Sequence, residues 1–308
     1  MSVPPVTTTL KHRIEYALFA AAVAVGCRVS ERTAARLAAA AGRLAYQPFG
    51  IRRRIVEAHI RLAFPERDEA WVHRTAAAAY VHLGREAIAM LRMAALTRGH
   101  VLERTSTEGF EAFRERVEAA RGGVIVTGHI GNWEIGAATL AARGIPTDVV
   151  AQRQANALFD RAVVAARQRL SVQVIERRRA PRQALRSLRA GRVVAFVADQ
   201  NARRAGIFVP FFGRPASTHR GPALMAIRAG KPLFLGIALR VADGHYHVRI
   251  DEVETDRSGD TDAAVHRLTA AFTAGLEAAV KLAPDQYFWH HRRWRTRPAE
   301  ERIPEAAV

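Results

Sequence analysis

Between residues 10 and 93, apolar side chains return at helical spacing through Ala-rich stretches, with breaks near Ser30, at Pro48-Phe49-Gly50 and at Phe64-Pro65. Capping serine, glycine and proline punctuate helices, so this pattern predicts a helical N-terminal region of several segments. After Arg104 the texture changes. Short β-branched runs at residues 124–127, 147–151, 172–175, 193–198, 208–211, 233–239 and 246–250 alternate with helical stretches at 155–170, 181–190, 222–229 and 263–282. Such alternation predicts an α/β domain whose parallel or mixed sheet is covered by helices. No internal repeat is visible, and the tail beyond Pro298 is expected to be poorly ordered.

The apolar run at residues 16–26 lies between Glu15 and Arg28, which makes it shorter than the roughly 20 residues of a spanning helix. Glu15 abuts the apolar stretch, so a cleaved secretory signal is disfavoured. Lys11, His12 and Arg13 before the run, and Arg28, Arg32 and Arg36 after it, fit a helix lying in the interface of an anionic leaflet. A buried helix is the other reading of the same segment. The expected organisation is a membrane-associating helix within 1–29, a helical region over 30–104, an α/β domain over 105–298 and a tail over 299–308, all one functional unit.

Composition narrows the partners rather than the fold. The chain has 308 residues, 49% of them hydrophobic, enough for a sizeable core. Its formal charge of +18 is almost entirely arginine, since lysine occurs only at positions 11, 231 and 281. That excess points to a polyanionic partner: an anionic membrane, a phosphorylated lipid, an acidic protein or nucleic acid. With Cys27 as the only cysteine, disulfide pairing within the chain and thiolate metal clusters are excluded.

The sequence contains no G-x-G-x-x-G, no Walker-type phosphate loop, no H-E-x-x-H and no G-x-S-x-G, which removes support for dinucleotide binding, a P-loop, a zincin site and a nucleophile elbow. It does contain Gly128-His129-Ile130-Gly131-Asn132-Trp133-Glu134 directly after the run at 124–127. The bare His-x4-acid spacing is weak, and His247 with Glu252 repeats it along a predicted strand, where an odd separation places the two on opposite faces. Residues five apart also diverge by about 140° on a continuous helix. They meet only where the backbone breaks, as Gly128, Gly131 and Asn132 allow. His129 is then placed at the carboxyl end of a strand, with Glu134 in the first turn of a helix starting near Asn132. A carboxylate on one imidazole nitrogen leaves the other free to take a proton from a hydroxyl, a general base that needs no protein nucleophile. A core histidine satisfied by backbone is the structural alternative.

The block from His129 to Glu134 resembles the His-x4-Asp/Glu block of the lipid A late acyltransferases, the lauroyl and myristoyl transferases of the lysophospholipid acyltransferase superfamily. Arg153, Asn156 and Phe159-Asp160 look like that family's second block. Ala198-Asp199-Gln200-Asn201, the segment 206–213, Thr218 and Gly221-Pro222 look like the third. Residues 286–298, with Tyr287, Trp289, Arg293 and Trp294, are similar to its closing signature. The resemblance runs in order from about Leu62 to Pro298. It implies a glycerol-phosphate-acyltransferase-like mixed sheet flanked by helices, with an N-terminal helical membrane-associating region. It also implies His129 as base, Glu134 as its orienting partner, and substrate contacts for Asn132, Arg153, Asn156, Arg167, Arg169, Asp199 and Gln200. Asp199 and Gln200 equally read as a buttress of the histidine loop or a cap on the strand before them.

By the same resemblance the reaction moves a fatty acyl group from a thioester of acyl carrier protein, or of CoA, to a hydroxyl of a lipid A precursor, with no metal or other cofactor. The phosphatidylinositol mannoside acyltransferases are the nearest alternative within the superfamily. Residence at the cytoplasmic face of the inner membrane is expected, on an anionic lipid surface. Ala151-Gln152 departs from the aromatic residue that many relatives carry before the arginine, and the loop at 201–205 adds Arg203 and Arg204. From another class, a nucleic-acid-binding protein would use the aromatic and arginine residues of 287–297 as stacking surfaces. In the company of the other blocks that segment reads instead as a basic aromatic rim at the membrane, so no nucleic acid is expected.

Overall fold

The computed structural model describes residues 9–254 and 258–298. The expected poorly ordered tail at 299–308 and the first eight positions lie outside the described residues. Thr9, Ser30 and Asp68 accept backbone N–H groups at the starts of α1 (Leu10–Arg28), α2 (Glu31–Tyr46) and α4 (Glu69–Arg92), so the predicted break near Ser30 is a capped helix start. Between α2 and α4 lies α3 (Arg53–Ala63). Next come α5 (Arg98–Arg104), β1 (Thr105–Glu108), α6 (Phe110–Ala120), β2 (Gly123–Thr127), α7 (Trp133–Ala142), β3 (Thr147–Ala151), α8 (Ala157–Arg169) and β4 (Val172–Glu176). The chain continues with α9 (Ala180–Arg189), β5 (Val193–Val197), β6 (Ile207–Phe211), β7 (Arg214–Thr218), α10 (Gly221–Ala229), β8 (Leu233–Ala242), β9 (His245–Glu252) and α11 (Thr261–Leu282).

Seven strands form one sheet in the order β1-β9-β8-β2-β5-β3-β4, parallel throughout except for the antiparallel β8–β9 hairpin. The expected mixed sheet is therefore present. Three elements were not legible in the pattern. β1 is a polar edge strand, β7 carries Pro215 in a separate hairpin with β6, and α6 is short and charge-rich.

The sheet's apolar faces are buried under two sets of helices. Phe110, Phe113, Val117 and Leu140 of α6 and α7 cover Ile125, Ala195 and Phe234 on one side. Ala184, Leu188, Ala226, Leu268 and Phe272 of α9, α10 and α11 cover Val124, Val126 and Val194 on the other. β2 and β5 stay in register through Thr127 and Val197, but β3 pairs with β5 only as far as Val149 and Ala195. The carboxyl ends of β3 and β5 part there, and the split opens the sheet's edge where β2 delivers its loop.

Two surface expectations change. Trp289, Tyr287, Trp294 and Arg293 are buried, packed among Phe64, Phe211 and Phe212, so the C-terminal block is interior and not a membrane rim. Only Arg292, Arg295 and Arg297 of its arginines are exposed. No helix among the described residues is long and apolar enough to cross a membrane. α1 lies against α8 through a Phe19–Phe159 edge contact at 4.6 Å and exposes Leu10, Ile14, Leu18 and Val25 on its outer side.

Candidate active site

The loop after β2 is held from three directions. Gly131 has φ +55°, and a Cβ there would sit 1.9 Å from the Ala238 carbonyl oxygen, so only glycine fits. Its N–H donates to Gln286 O (3.0 Å), the Phe288 N–H donates to His129 O (2.9 Å), and the Asn132 N–H donates to Ala238 O (2.9 Å). The histidine block and the closing block, more than 150 positions apart in sequence, are thus zipped together by backbone. Asn132 caps α7 by accepting the Ile135 N–H, and its amide donates to buried Glu86 (2.7 Å). Asn132 is buried and does not line the cavity, so in place of the expected substrate contact it anchors the loop.

The carboxylate on the imidazole belongs to Asp199, not to Glu134. Asp199 Oδ1 lies 2.7 Å from His129 Nδ1, and Oδ2 accepts the His129 backbone N–H at 2.8 Å. Glu134 instead forms a two-point pair with Arg167, Nε to Oε2 at 2.8 Å and Nη2 to Oε1 at 2.5 Å. The reason is geometric: Glu134 sits in the first turn of α7 facing α8, while the end of β5 delivers Asp199 beside the β2 loop. Burial disfavours a charge on His129, but Asp199, with Glu134 further off, outweighs it and holds the imidazole pKa above its ordinary value. Burial likewise opposes ionisation of Asp199, and the imidazole overcomes it, keeping the carboxyl pKa low. His129 is 21% exposed, and Gln200 Nε2 lies 3.4 Å from its Nε2.

His129 lines a cavity of about 500 Å³. Gly136, Ala137, Ala195, Gly236 and Ala238 make a floor of small apolar residues between α7 and the sheet, extended by Leu140, Val248 and Ile250. Trp133, Glu134, Arg167 and Gln200 stand near the histidine, while Gln152, Arg177, Pro181, His219 and Pro222 line the remainder. A narrow apolar slot with a few polar groups at one end suits a long chain bearing a polar head.

Of the other residues expected at the site, Asn156 caps α8 and donates to His12 O (2.9 Å) and Glu15 Oε2 (3.1 Å), so it holds α1 in place. Arg153 lies outside the cavity lining, with Asp160 at 3.8 Å. Arg169 is exposed and donates to the Ala94 carbonyl. Sequence reasoning missed Arg177, hidden in a run of ordinary-looking arginines, and His219, which carries no motif of its own. It also missed Tyr287 as a buried hydroxyl whose pKa is raised well above the ordinary value by burial and by Asp199. The repeated spacing at His247 and Glu252 holds no joint site: His247 meets Ser106 and Glu108, and Glu252 meets Arg116.

A carboxylate–imidazole pair at the carboxyl end of a parallel strand, beside a largely apolar cavity, is an arrangement chemically suited to base-assisted group transfer. Residues 4–296 match the bacterial lipid A biosynthesis acyltransferase family, and the chain belongs to it. It is similar to a lipid A biosynthesis lauroyltransferase of Escherichia coli K12, 27% identical over 85% of each chain. A phosphatidylinositol mannoside acyltransferase of Mycolicibacterium smegmatis is 28% identical over 66% of this chain and 67% of its own. The protein is an O-acyltransferase.

Proposed function

We propose that this enzyme moves a fatty acyl group from a thioester of acyl carrier protein, with CoA as second choice, to a hydroxyl of a lipid A precursor. The observation that carries the reading is the His129 imidazole, backed by Asp199 at Nδ1 and met at Nε2 by the Gln200 amide alone among the described residues, lining a cavity floored by glycine and alanine. With the acyl chain in the slot and the thioester carbonyl at its head, His129 Nε2 takes the proton of the acceptor hydroxyl as the oxygen attacks the carbonyl carbon. The tetrahedral oxyanion forms beside the Gln200 amide, a donor of the kind that stabilises it. Collapse breaks the carbon–sulfur bond, and the imidazolium returns the proton to the leaving thiolate. Asp199 stabilises the imidazolium between these steps. The Glu134–Arg167 pair, both partners inside the lining, sets the local potential and the wall of the slot.

The outer side of α1, with Leu10, Ile14, Leu18 and Val25 beside Lys11 and Arg13, supports peripheral attachment to an anionic bilayer at the cytoplasmic face of the inner membrane. Burial of Tyr287, Trp289 and Trp294 removes the stacking surface that a nucleic-acid partner would need. The mycobacterial relative favours a second reading, in which the acceptor is a phosphatidylinositol mannoside. Transfer from acyl carrier protein thioesters to a tetra-acylated lipid A precursor and, in parallel, to a phosphatidylinositol mannoside decides between them. Acylation of the first alone is the expected outcome, acylation of the second alone reassigns the acceptor, and acylation of neither by folded, membrane-bound protein overturns both.

A further inference from the structure

Three arginines were expected to contact substrate, and none is free to meet a phosphate inside the cavity. Arg167 is neutralised by Glu134, Arg153 lies outside the lining, and Arg169 faces the Ala94 carbonyl. Among the described residues Glu134 is also the one carboxylate in the lining, so there the cavity keeps a single uncompensated cation, Arg177. Among the described residues, no carboxylate lies within ion-pair distance of Arg177, and its side-chain partner is Gln152 Oε1 at 3.4 Å. His219 stands on the same rim, half-buried and without a hydrogen bond among the described residues.

We propose that Arg177 and His219 form an anion subsite at the cavity mouth that holds a phosphate ester of one of the two substrates. The inference builds on the acyl-transfer reading and adds a class of group that reading does not specify. Arg177 offers a guanidinium fork and Gln152 an amide, both matched to phosphate oxygens, and His219 adds a ring N–H. The electrostatics agree: burial and the cations of Arg177 and Arg293 push His219 down to about 4. An imidazole kept neutral by burial and by neighbouring cations lies where a bound anion is favoured. α9 and α10 both begin on this rim at Ala180-Pro181 and Gly221-Pro222, with no acidic residue in the first turn of either. A phosphate here could belong to the arm that carries the donor thioester or to the head group of the lipid acceptor.

Two pairs of substrates separate these sources. Lauroyl-4′-phosphopantetheine and lauroyl-pantetheine differ by one phosphate on the donor, and the lipid acceptor is used with and without its own phosphate. In wild type, the phosphorylated member of one pair should have a KM lower by about tenfold, the scale of one exposed charge-assisted hydrogen bond. Arg177→Met should erase that advantage. Arg178→Met, an equal loss of charge outside the lining, should keep it. The pair that responds names the source. An advantage that is absent in wild type, or that survives Arg177→Met, overturns the subsite.

The His219 imidazole, followed by NMR with added pantetheine 4′-phosphate or inorganic phosphate, gives a readout free of turnover. Its pKa should rise by about one pH unit in wild type and stay fixed in Arg177→Met. Anion binding without any transfer would leave the subsite standing and sink the acyl-transfer reading. Transfer with no discrimination and no titration response would do the reverse.

Discussion

Two histidine–carboxylate neighbours flank the same loop, and they differ in what the carboxylate is already doing. Glu86 is buried and accepts from Arg240 Nε (2.5 Å), the Tyr246 hydroxyl (3.0 Å) and the Asn132 amide (2.7 Å). His82, one helical turn before it on α4, is left at 3.7 Å, and burial, outweighing Glu86, pushes its pKa below the ordinary value. At His129 the balance reverses. Asp199 gives one oxygen to the imidazole and the other to the same residue's backbone N–H, and the pKa rises. A carboxylate taken up by an arginine, a tyrosine and an amide builds structure, whereas one that gives an oxygen directly to an imidazole prepares a base.

The largest effect should come from exchanging the histidines as targets. His129→Ala removes the base and should lower turnover by about 10³- to 10⁴-fold, the upper range for general base catalysis. Its melting temperature should also fall, though less than in a variant that loses every contact, because Asp199, only 3% exposed, loses the imidazole and keeps the backbone N–H of residue 129. His82→Ala should keep turnover within about tenfold. Acyl transfer and melting curves on the two variants check both statements, and equal loss of activity in both would collapse the distinction.

Much of this was legible because local chemistry marks it. Gly128, Gly131 and Asn132 announced a broken backbone after an apolar run, and the structure places a loop and a capped helix there. The carboxylate partner was misread because the choice between Glu134 and Asp199 is tertiary: Asp199 is 70 positions away, and only the pairing of β2 with β5 brings it to the loop. The closing block was misread for a related reason. Aromatic and arginine residues interleave equally well on a wet surface and in an interior, and Arg293 is accommodated inside by the Ser217 carbonyl, the Thr218 hydroxyl and the Phe211 ring. Asn156 read as a substrate contact because a capping asparagine and a binding one look alike without their neighbours.

The next effect in size is on stability. Glu86→Ala leaves the guanidinium of Arg240, only 10% exposed, without its carboxylate, and also strips partners from Tyr246 and Asn132. Breaking a buried pair in this way costs about 3–5 kcal/mol, a melting point lower by roughly 5–10 °C. Turnover measured well below that temperature should fall far less than in His129→Ala, since His129 and Asp199 keep their contacts. A variant that melts like wild type but is inactive would move Glu86 from the scaffold to the chemistry.

The smallest and most discriminating effect is a displaced pH profile. Asp199 is held below the ordinary carboxyl pKa and His129 above the ordinary imidazole one, so between those limits the pair is ionised. The stability that His129 contributes is complete below its unfolded pKa and is lost as pH rises through the folded one. For Asp199 it is present above the unfolded pKa and lost as pH falls through the folded one. Catalysis has the opposite appetite, because only neutral imidazole accepts a proton. The acid limb of kcat/KM should therefore lie above the ordinary histidine value of 6.5. In Asp199→Asn the attraction disappears and burial remains, so the limb should move to lower pH while the plateau drops by about 10²-fold for want of an oriented, stabilised imidazolium. Glu134→Gln keeps the Asp199 contact and should move the limb much less. If Glu134→Gln moves it and Asp199→Asn does not, the carboxylate that tunes the base is the one the sequence pointed to first, and the 2.7 Å contact with Asp199 is architecture.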